Sequence, residues 1–182
     1  MKIDFEKAYD RVSWVFLEKV LIGKGFPQKW INWVMQTVKG GQVCVNFNGE
    51  RSPYFRTFRG LRQGDLLSPL LFDIVVAALG VMINKAVSHD GHIKGVLEDL
   101  IPGGISHIQY ADDTVIMIDG SDTSIRNLKL ILYCFEWLSG LKISFHKSEV
   151  FAFGVPQPEK PRMANMLNCV LGNLLQISGN FN

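Results

Sequence analysis

Cysteine is scarce in this 182-residue chain: Cys44, Cys134 and Cys169 are its whole complement, odd in number, far apart and without a C-x-x-C pair. That spacing excludes a disulfide framework and argues against a zinc site, leaving a reducing compartment as the expected setting. Charge of one sign is lacking too. Nineteen Lys and Arg against seventeen Asp and Glu leave +2, so the whole-chain charge does not announce a nucleic-acid binder and local clustering has to decide. No apolar run reaches bilayer length, for Leu70 to Ile83 spans fourteen residues with Asp73 inside it, short of the roughly 20 that a span needs. It predicts a buried helix and no membrane partner. The start of the chain has no basic segment leading into an apolar run and a cleavage site, so no secretory signal is visible. Internal repeats and low-complexity tracts are missing as well. With 47% apolar and 20% charged residues, what remains is one globular domain with a sizeable core.

The periodicity of the apolar residues alternates between helix and strand. Ser13 can cap a helix carrying Phe16, Leu17, Val20 and Leu21 at helical spacing, closed by Gly23 and Gly25. Pro27 starts another, with Trp30, Ile31, Val34 and Met35 as its stripe, broken by Gly40 and Gly41. Val43, Val45 and Phe47 alternate with polar neighbours, and Asn48-Gly49 turns the chain back before Tyr54 to Phe58, a β-hairpin. A long buried helix is expected from Ser68-Pro69 to about Ala86. Two short strands, Ile105 to Tyr110 and Thr114 to Ile118, follow around Ala111-Asp112-Asp113. Ser121 or Asp122 then caps a helix with Ile125, Leu128, Ile131, Leu132, Phe135 and Leu138 inward and Gly140 at its end. With a return strand at Glu149 to Phe153, the order is strand, helix, two strands, helix, strand. That is a ferredoxin-like split βαβ core in an α+β fold. The four tryptophans, Trp14, Trp30, Trp33 and Trp137, are read as core. His89, His92, His107 and His146 show no ligand spacing and are read as surface or satisfied histidines. From Val155 the texture changes, with Pro156, Pro158 and Pro161 close together, so residues 155–182 are expected to be a linker and tail after a domain at 1–154.

The chemistry concentrates on carboxylates. Asp112-Asp113 between two apolar strands has a plain reading as turn residues, since Asp tolerates bent backbone. Two adjacent carboxylates against a largely buried sheet also call for a cation. If the split βαβ order holds, Asp4 arrives on a neighbouring strand as a third oxygen donor, a set that suits Mg²⁺ with its preference for few carboxylates plus substrate phosphates. Two such ions about 3.5 to 4 Å apart can serve phosphoryl transfer by activating an attacking hydroxyl and stabilising a leaving pyrophosphate. Separately, Arg51, Arg56, Arg59 and Arg62 place four positive charges in twelve residues, interleaved with Tyr54, Phe55 and Phe58 and with no acid among them. Phosphate contact plus base stacking is one reading of that segment, a solvated hairpin face the other.

Three segments carry a family resemblance. Lys2-Ile3-Asp4-Phe5-Glu6-Lys7-Ala8-Tyr9-Asp10-Arg11-Val12, the stretch Arg59-Gly60-Leu61-Arg62-Gln63-Gly64-Asp65-Leu66-Leu67-Ser68-Pro69-Leu70-Leu71-Phe72, and Tyr110-Ala111-Asp112-Asp113 resemble motifs A, B and C of reverse transcriptases. Gly140 to Ser148 resembles the motif that follows. Order, spacing and intervening hairpin are most similar to LINE-type non-LTR retrotransposons, those of plants above all. The resemblance implies a polymerase palm and RNA-directed DNA polymerase activity on an RNA template, a DNA primer and dNTPs, with two Mg²⁺ ions, or Mn²⁺ in their place. It makes Asp4, Asp112 and Asp113 the catalytic metal ligands, assisted by the Phe5 carbonyl. Tyr9 is implied as the residue that closes on the sugar 2′ position, although a core aromatic is the alternative. Gln63 and Gly64 are implied as nucleotide and template contacts. Lys147 resembles a lysine that protonates pyrophosphate, although a solvated lysine fits equally. A nuclear setting is suggested by the family alone.

The sequence also departs from that pattern. Leu66 stands where the family usually has proline, and Ser144 where asparagine is common. Three residues precede Asp4, so the fingers region is expected to be absent and the palm partial. Asn168-Cys169 through Gly172-Asn173-Leu174-Leu175 is only a degenerate approach to the primer-contacting strand. The isolated chain is therefore expected not to polymerise, and a non-catalytic retroelement relic or weak nucleic-acid-binding module is the competing reading. An RNA-dependent RNA polymerase is disfavoured by Tyr9 and by Tyr-Ala-Asp-Asp.

Overall fold

A computed structural model describes residues 1–88, 92–97, 100–101, 104–110 and 113–173. His89, Ala111, Asp112 and residues 174–182 lie outside the described residues, and with them the middle of the second carboxylate motif. The chain opens with β1 (Lys2–Ile3) and β2 (Phe5–Glu6), then α1 (Ala8–Arg11), α2 (Trp14–Gly23) and α3 (Gln28–Lys39). The hairpin follows as β3 (Gln42–Val43), β4 (Asn46–Phe47), β5 (Glu50–Arg51) and β6 (Phe55–Arg56). After it come α4 (Ser68–Ser88), β7 (His107–Tyr110), β8 (Asp113–Ile116) and α5 (Asp122–Ser139). The chain continues through β9 (Lys142–Ile143), β10 (Glu149–Val150), α6 (Lys160–Leu167) and β11 (Val170–Leu171).

Five of these strands form one sheet in the order β11-β10-β1-β8-β7. β1 runs antiparallel to both neighbours, with Lys2 opposite Val115 and Glu149 and Ile3 opposite Thr114. β7 and β8 pair from His107–Ile116 to Tyr110–Asp113. Successive side chains on a strand point to opposite faces, and here Ile3, Thr114, Ile116 and Val150 are buried while Ile108, Tyr110 and Asp113 are exposed. The sheet thus has one face in the core and one open. Mixed helices and strands in this arrangement are an α+β architecture.

The helical layer packs α4 against α2, α5 and β7, with α3 on α2 and α6 on α5. Its centre is aromatic. Phe72 and Phe135 are fully buried, Phe5 meets Phe72 edge-on at 6.4 Å, and Phe16 meets Phe135 edge-on at 6.2 Å. α4 is long and apolar enough to cross a membrane by those two measures. Its stripe Leu71, Phe72, Val75, Val76, Leu79 and Ile83 nevertheless lies in the protein core, as the sequence reading of a buried helix requires.

Differences from the sequence reading have simple geometric causes. Trp33 and Trp137 are 56% and 86% exposed rather than core. On α5 the buried apolar residues are Ile125, Leu128, Leu132 and Phe135, and Trp137, two positions beyond Phe135, is rotated by about 200°, onto the far side of the helix. Leu138, expected inward, is 45% exposed. Within the stretch expected to be a linker, α6 packs Ala164 and Leu167 against Ile125 and Val150 in a small second cluster, and β11 adds a parallel strand to β10. The four-residue α1 and the two-residue strands of the β2–β9 ladder are too short to display a helical or alternating period in the sequence.

Two glycines fasten the segment after Asp4 to the rest of the molecule. At Gly60, with φ +92°, a side chain would stand 2.8 Å from the Asp10 carbonyl oxygen, and at Gly140, with φ +76°, 2.6 Å from that of Arg11. Gly140→Ala, which combines left-handed backbone with a backbone collision, is expected to destabilise the fold by about 1–3 kcal/mol or more in urea denaturation. The same change at Gly23, where nothing lies within 4 Å, should be neutral or stabilising by a few tenths of a kcal/mol.

His107 supplies a pH dependence. Its ring lies over Gly80 of α4 and its Nδ1 is 3.1 Å from the Ser106 hydroxyl, and desolvation holds its pKa below the usual imidazole value. The folded state therefore favours neutral imidazole, so the unfolded chain takes up the proton first as pH falls below about 6.5 and native stability declines. The stability difference between wild type and His107→Gln should narrow between pH 7 and 5.5; a gap independent of pH would contradict this assignment.

Candidate active site

Asp4 sits at the break between β1 and β2, and its position is fixed through its backbone. Its N–H donates to the Ser148 hydroxyl at 3.1 Å, and its carbonyl accepts from the Ser144 N–H at 2.8 Å. Ser148 in turn donates to the Ser144 carbonyl at 2.9 Å. Both serines are buried, so these bonds form away from competing water. The half-buried Asp4 side chain is left to face a cleft of about 180 Å³ lined also by Lys2, Ile3, Phe5, Asp113, Lys147 and Glu149.

Asp113 reaches this cleft from β8, the neighbour of β1. The Lys2 ammonium stands 3.0 Å from Asp113 Oδ1. That hydrogen bond raises the Lys2 pKa above the ordinary lysine value, against a desolvation effect in the opposite sense. Lys147 is exposed at the same cleft. Asp112 lies outside the described residues. Among the described residues no three His, Cys, Asp or Glu side chains gather closely enough to hold a metal ion. Asp4 and Asp113 bring hard carboxylate oxygens of the kind Mg²⁺ takes, and the Lys2 ammonium already places a cation on one of them.

Tyr9 faces a second cleft. Its ring stacks on Phe72 with centroids 4.9 Å apart and 23° between planes, while the residue also lines a cleft of about 620 Å³ with Gln63, Gly64, Asp65, Leu66, Ser68 and Pro69. It is therefore both packed against the core and available to a ligand. The Leu61 N–H donates to the Tyr9 carbonyl at 2.7 Å, and the Gly60 N–H to that of Val12 at 2.8 Å, so the irregular run before α4 is tied to α1 and the residue that follows it. Asp65 begins α4 by accepting from the Leu67 N–H at 3.0 Å. Gly64 adopts φ +84° with open space around it, and Leu66 is 99% exposed at the rim, a position where replacing proline costs no packing.

The four arginines have different immediate neighbours. Arg51 lies on β5, opposite Asn46, whereas Arg56 lines a groove with Glu18, Gln36 and Lys39. The Arg62 guanidinium lies against Gly41, which has no side chain to obstruct it, and Arg59 is exposed. Tyr54, Phe55 and Phe58 are exposed around them. Sequence reasoning missed Lys2, Glu149, Ser144 and Ser148 as parts of the site. The serines carry no pattern of their own in a segment that also holds Lys142, His146, Lys147 and Glu149, and the register that sets Lys2 opposite Glu149 is a product of the fold.

Comparison with known proteins fits this geometry. Residues 1–169 match the family described as reverse transcriptase (RNA-dependent DNA polymerase). The Pol polyprotein of the type-2 retrotransposable element R2DM of Drosophila melanogaster is 36% identical over 167 residues, covering 87% of this chain and 14% of that protein. A Pol polyprotein of an R2 element of Nasonia vitripennis is 27% identical over 117 residues, 64% of this chain and 10% of the relative. An uncharacterized mitochondrial protein of Arabidopsis thaliana is 36% identical over 67 residues, 37% of this chain and 54% of that one. The chain thus spans about a seventh or less of these two R2 polyproteins. Their insect origin gives no support to a specifically plant-type affinity. What the match over most of the chain does establish is that it belongs to the reverse transcriptase family, as a reverse transcriptase region of the non-LTR retrotransposon kind.

Proposed function

We propose that this region is the polymerase palm of an RNA-directed DNA polymerase, with its palm at residues 1–154 and a following segment that extends the sheet through α6 and β11. The observation that carries the reading is the convergence of Asp4 and Asp113 from adjacent antiparallel strands on one cleft with Lys147. The strand order β10-β1-β8-β7 supports the palm, since it corresponds to the 4-1-3-2 order of a split βαβ core whose two helices, α4 and α5, cover one face.

In this reading Asp4, Asp112 and Asp113 would hold two Mg²⁺ ions, or Mn²⁺, which would supply Lewis acidity to the joining of a primer 3′-hydroxyl and a dNTP on an RNA template. The Phe5 carbonyl, next to Asp4, adds an oxygen donor. Ser144 and Ser148 keep the Asp4 backbone still, which matters for chemistry dominated by positioning. Lys147, exposed at the same cleft, donates a proton to pyrophosphate. Tyr9, its ring backed by Phe72, stands at the cleft and excludes a 2′-hydroxyl, while Gln63 and the open backbone at Gly64 meet the nucleotide and template. Arg51, Arg56, Arg59 and Arg62 contribute phosphate contacts.

Primer extension on an RNA template tests the reading. Asp112→Asn should lower kcat by about 10²-fold or more, the equivalent of several kcal/mol of charge stabilisation. Extension at a near-normal rate would refute the ligand assignment.

A sugar-selectivity assay examines Tyr9. Tyr9→Ala should raise the kcat/KM of ribonucleotides relative to deoxynucleotides by about tenfold or more, the scale on which pockets discriminate by shape. An unchanged ratio would return Tyr9 to a purely structural role beside Phe72.

A further inference from the structure

The pairing of Lys2 with Asp113 is not required by the chemistry described above. Lys2 stands directly opposite Val115 on β8 and Glu149 on β10, and Asp113, two residues before Val115 on the same face, is its diagonal neighbour, within reach of a long side chain. The Lys2 ammonium uses that reach to stand 3.0 Å from Asp113 Oδ1. Side-chain exposures of 49% and 60% for the two partners make this a solvated pair, of a kind that contributes little to stability. Lys147 lines the same cleft and carries the same charge, yet among the described residues it makes no ion pair with Asp4 or Asp113. One of two lysines is thus committed to a carboxylate that the proposed chemistry needs for an ion.

We propose that the Lys2 ammonium is a resident monocation that holds Asp113 in place until a divalent ion takes it over, so that ion binding at Asp113 is an exchange of one cation for another. The inference rests on the reading of Asp113 as a metal ligand. In the absence of the ion, Lys2 offsets the repulsion among carboxylates on the open face of the sheet. When it is displaced, Glu149, directly across on β10, is the carboxylate beside it, so the ammonium remains paired on the same face and the exchange leaves no charge stranded.

Titration of Mn²⁺ into the chain, with free ion counted by electron paramagnetic resonance, distinguishes this role from a general field. Lys2→Gln should bind Mn²⁺ about three- to fivefold more tightly than wild type, the scale of an exposed ion pair that no longer has to be broken. Lys2→Arg should stay within twofold of wild type. Lys147→Gln removes the same charge from the same cleft and should move affinity less than Lys2→Gln does. Equal shifts for the two Gln variants, or weaker binding by Lys2→Gln, would overturn the exchange. Chain labelled with ¹³C in its lysine side chains gives a second reading: the Lys2 Cε resonance should shift with the same midpoint as Mg²⁺ binding, and a stationary resonance would overturn the proposal as well. Mn²⁺ affinity untouched by Asp113→Asn would instead remove the metal reading of that residue, and this inference with it.

Discussion

A closed set of three hydrogen bonds, from Asp4 N–H to the Ser148 hydroxyl, from that hydroxyl to the Ser144 carbonyl, and from the Ser144 N–H back to the Asp4 carbonyl, ties the first strand to the segment after α5. β1 has only two residues, too few to hold its place by ladder bonds alone, and yet it lies in the middle of the five-stranded sheet. Burial of Ile3 and these bonds supply the missing constraint. Because both serines are buried, removing the Ser148 hydroxyl would leave the Asp4 N–H without that acceptor in a desolvated segment, at a cost of about 1–3 kcal/mol. The Asp4 carboxylate inherits a fixed origin from a backbone that cannot slide.

The second cleft depends on the same segment a few residues further on. Lys7 takes a left-handed conformation, φ 46°, which turns the chain from β2 into α1 and brings Tyr9 over Phe72. The carbonyls of Tyr9 and Val12 then receive the N–H groups of Leu61 and Gly60, an approach close enough that Gly60 tolerates no side chain. The run from Arg59 to Gly64 is thereby hung on the backbone beside Tyr9, and Gln63 and Gly64 meet it without any side-chain contact being needed. One stretch, from Lys2 to Val12, organises both clefts.

Much of this was legible in the sequence because it follows from periodicity. Leu17 and Leu21, the stripe of α4, and Ile125 to Phe135 declared their helices, and the Asn48-Gly49 turn declared the hairpin. The two-residue strands were hidden, since alternation needs length to be seen, and so were the contacts that depend on them: Lys2 with Asp113, and Asp4 with Ser148. The arginines illustrate a different limit. Nearness in sequence marks one basic segment, but it does not reveal that Arg56 lines a groove with Glu18 and Lys39 or that Arg62 lies against Gly41. Trp137 shows that an aromatic residue near a core stripe is not in it when its angle around the helix is wrong.

The same two-residue period that builds the core also distributes the chemistry. Anchoring Ile3 against α4 and α5 forces Lys2 and Asp4 to the open face, and burying Thr114 and Ile116 forces Asp113 there with Val115. On β7 the partly buried His107 and Gln109 leave Ile108 and the 83% exposed Tyr110 outward. The open face therefore carries carboxylates and ammonium groups at its centre and apolar side chains along its β7 edge. Such a surface offers charge to phosphates and ions, and flat apolar area to sugars and bases. A one-residue slip of β1 would exchange Ile3 for its charged neighbours and destroy core and cleft together. The stability of the sheet and the placement of Asp4 are thus selected by a single register.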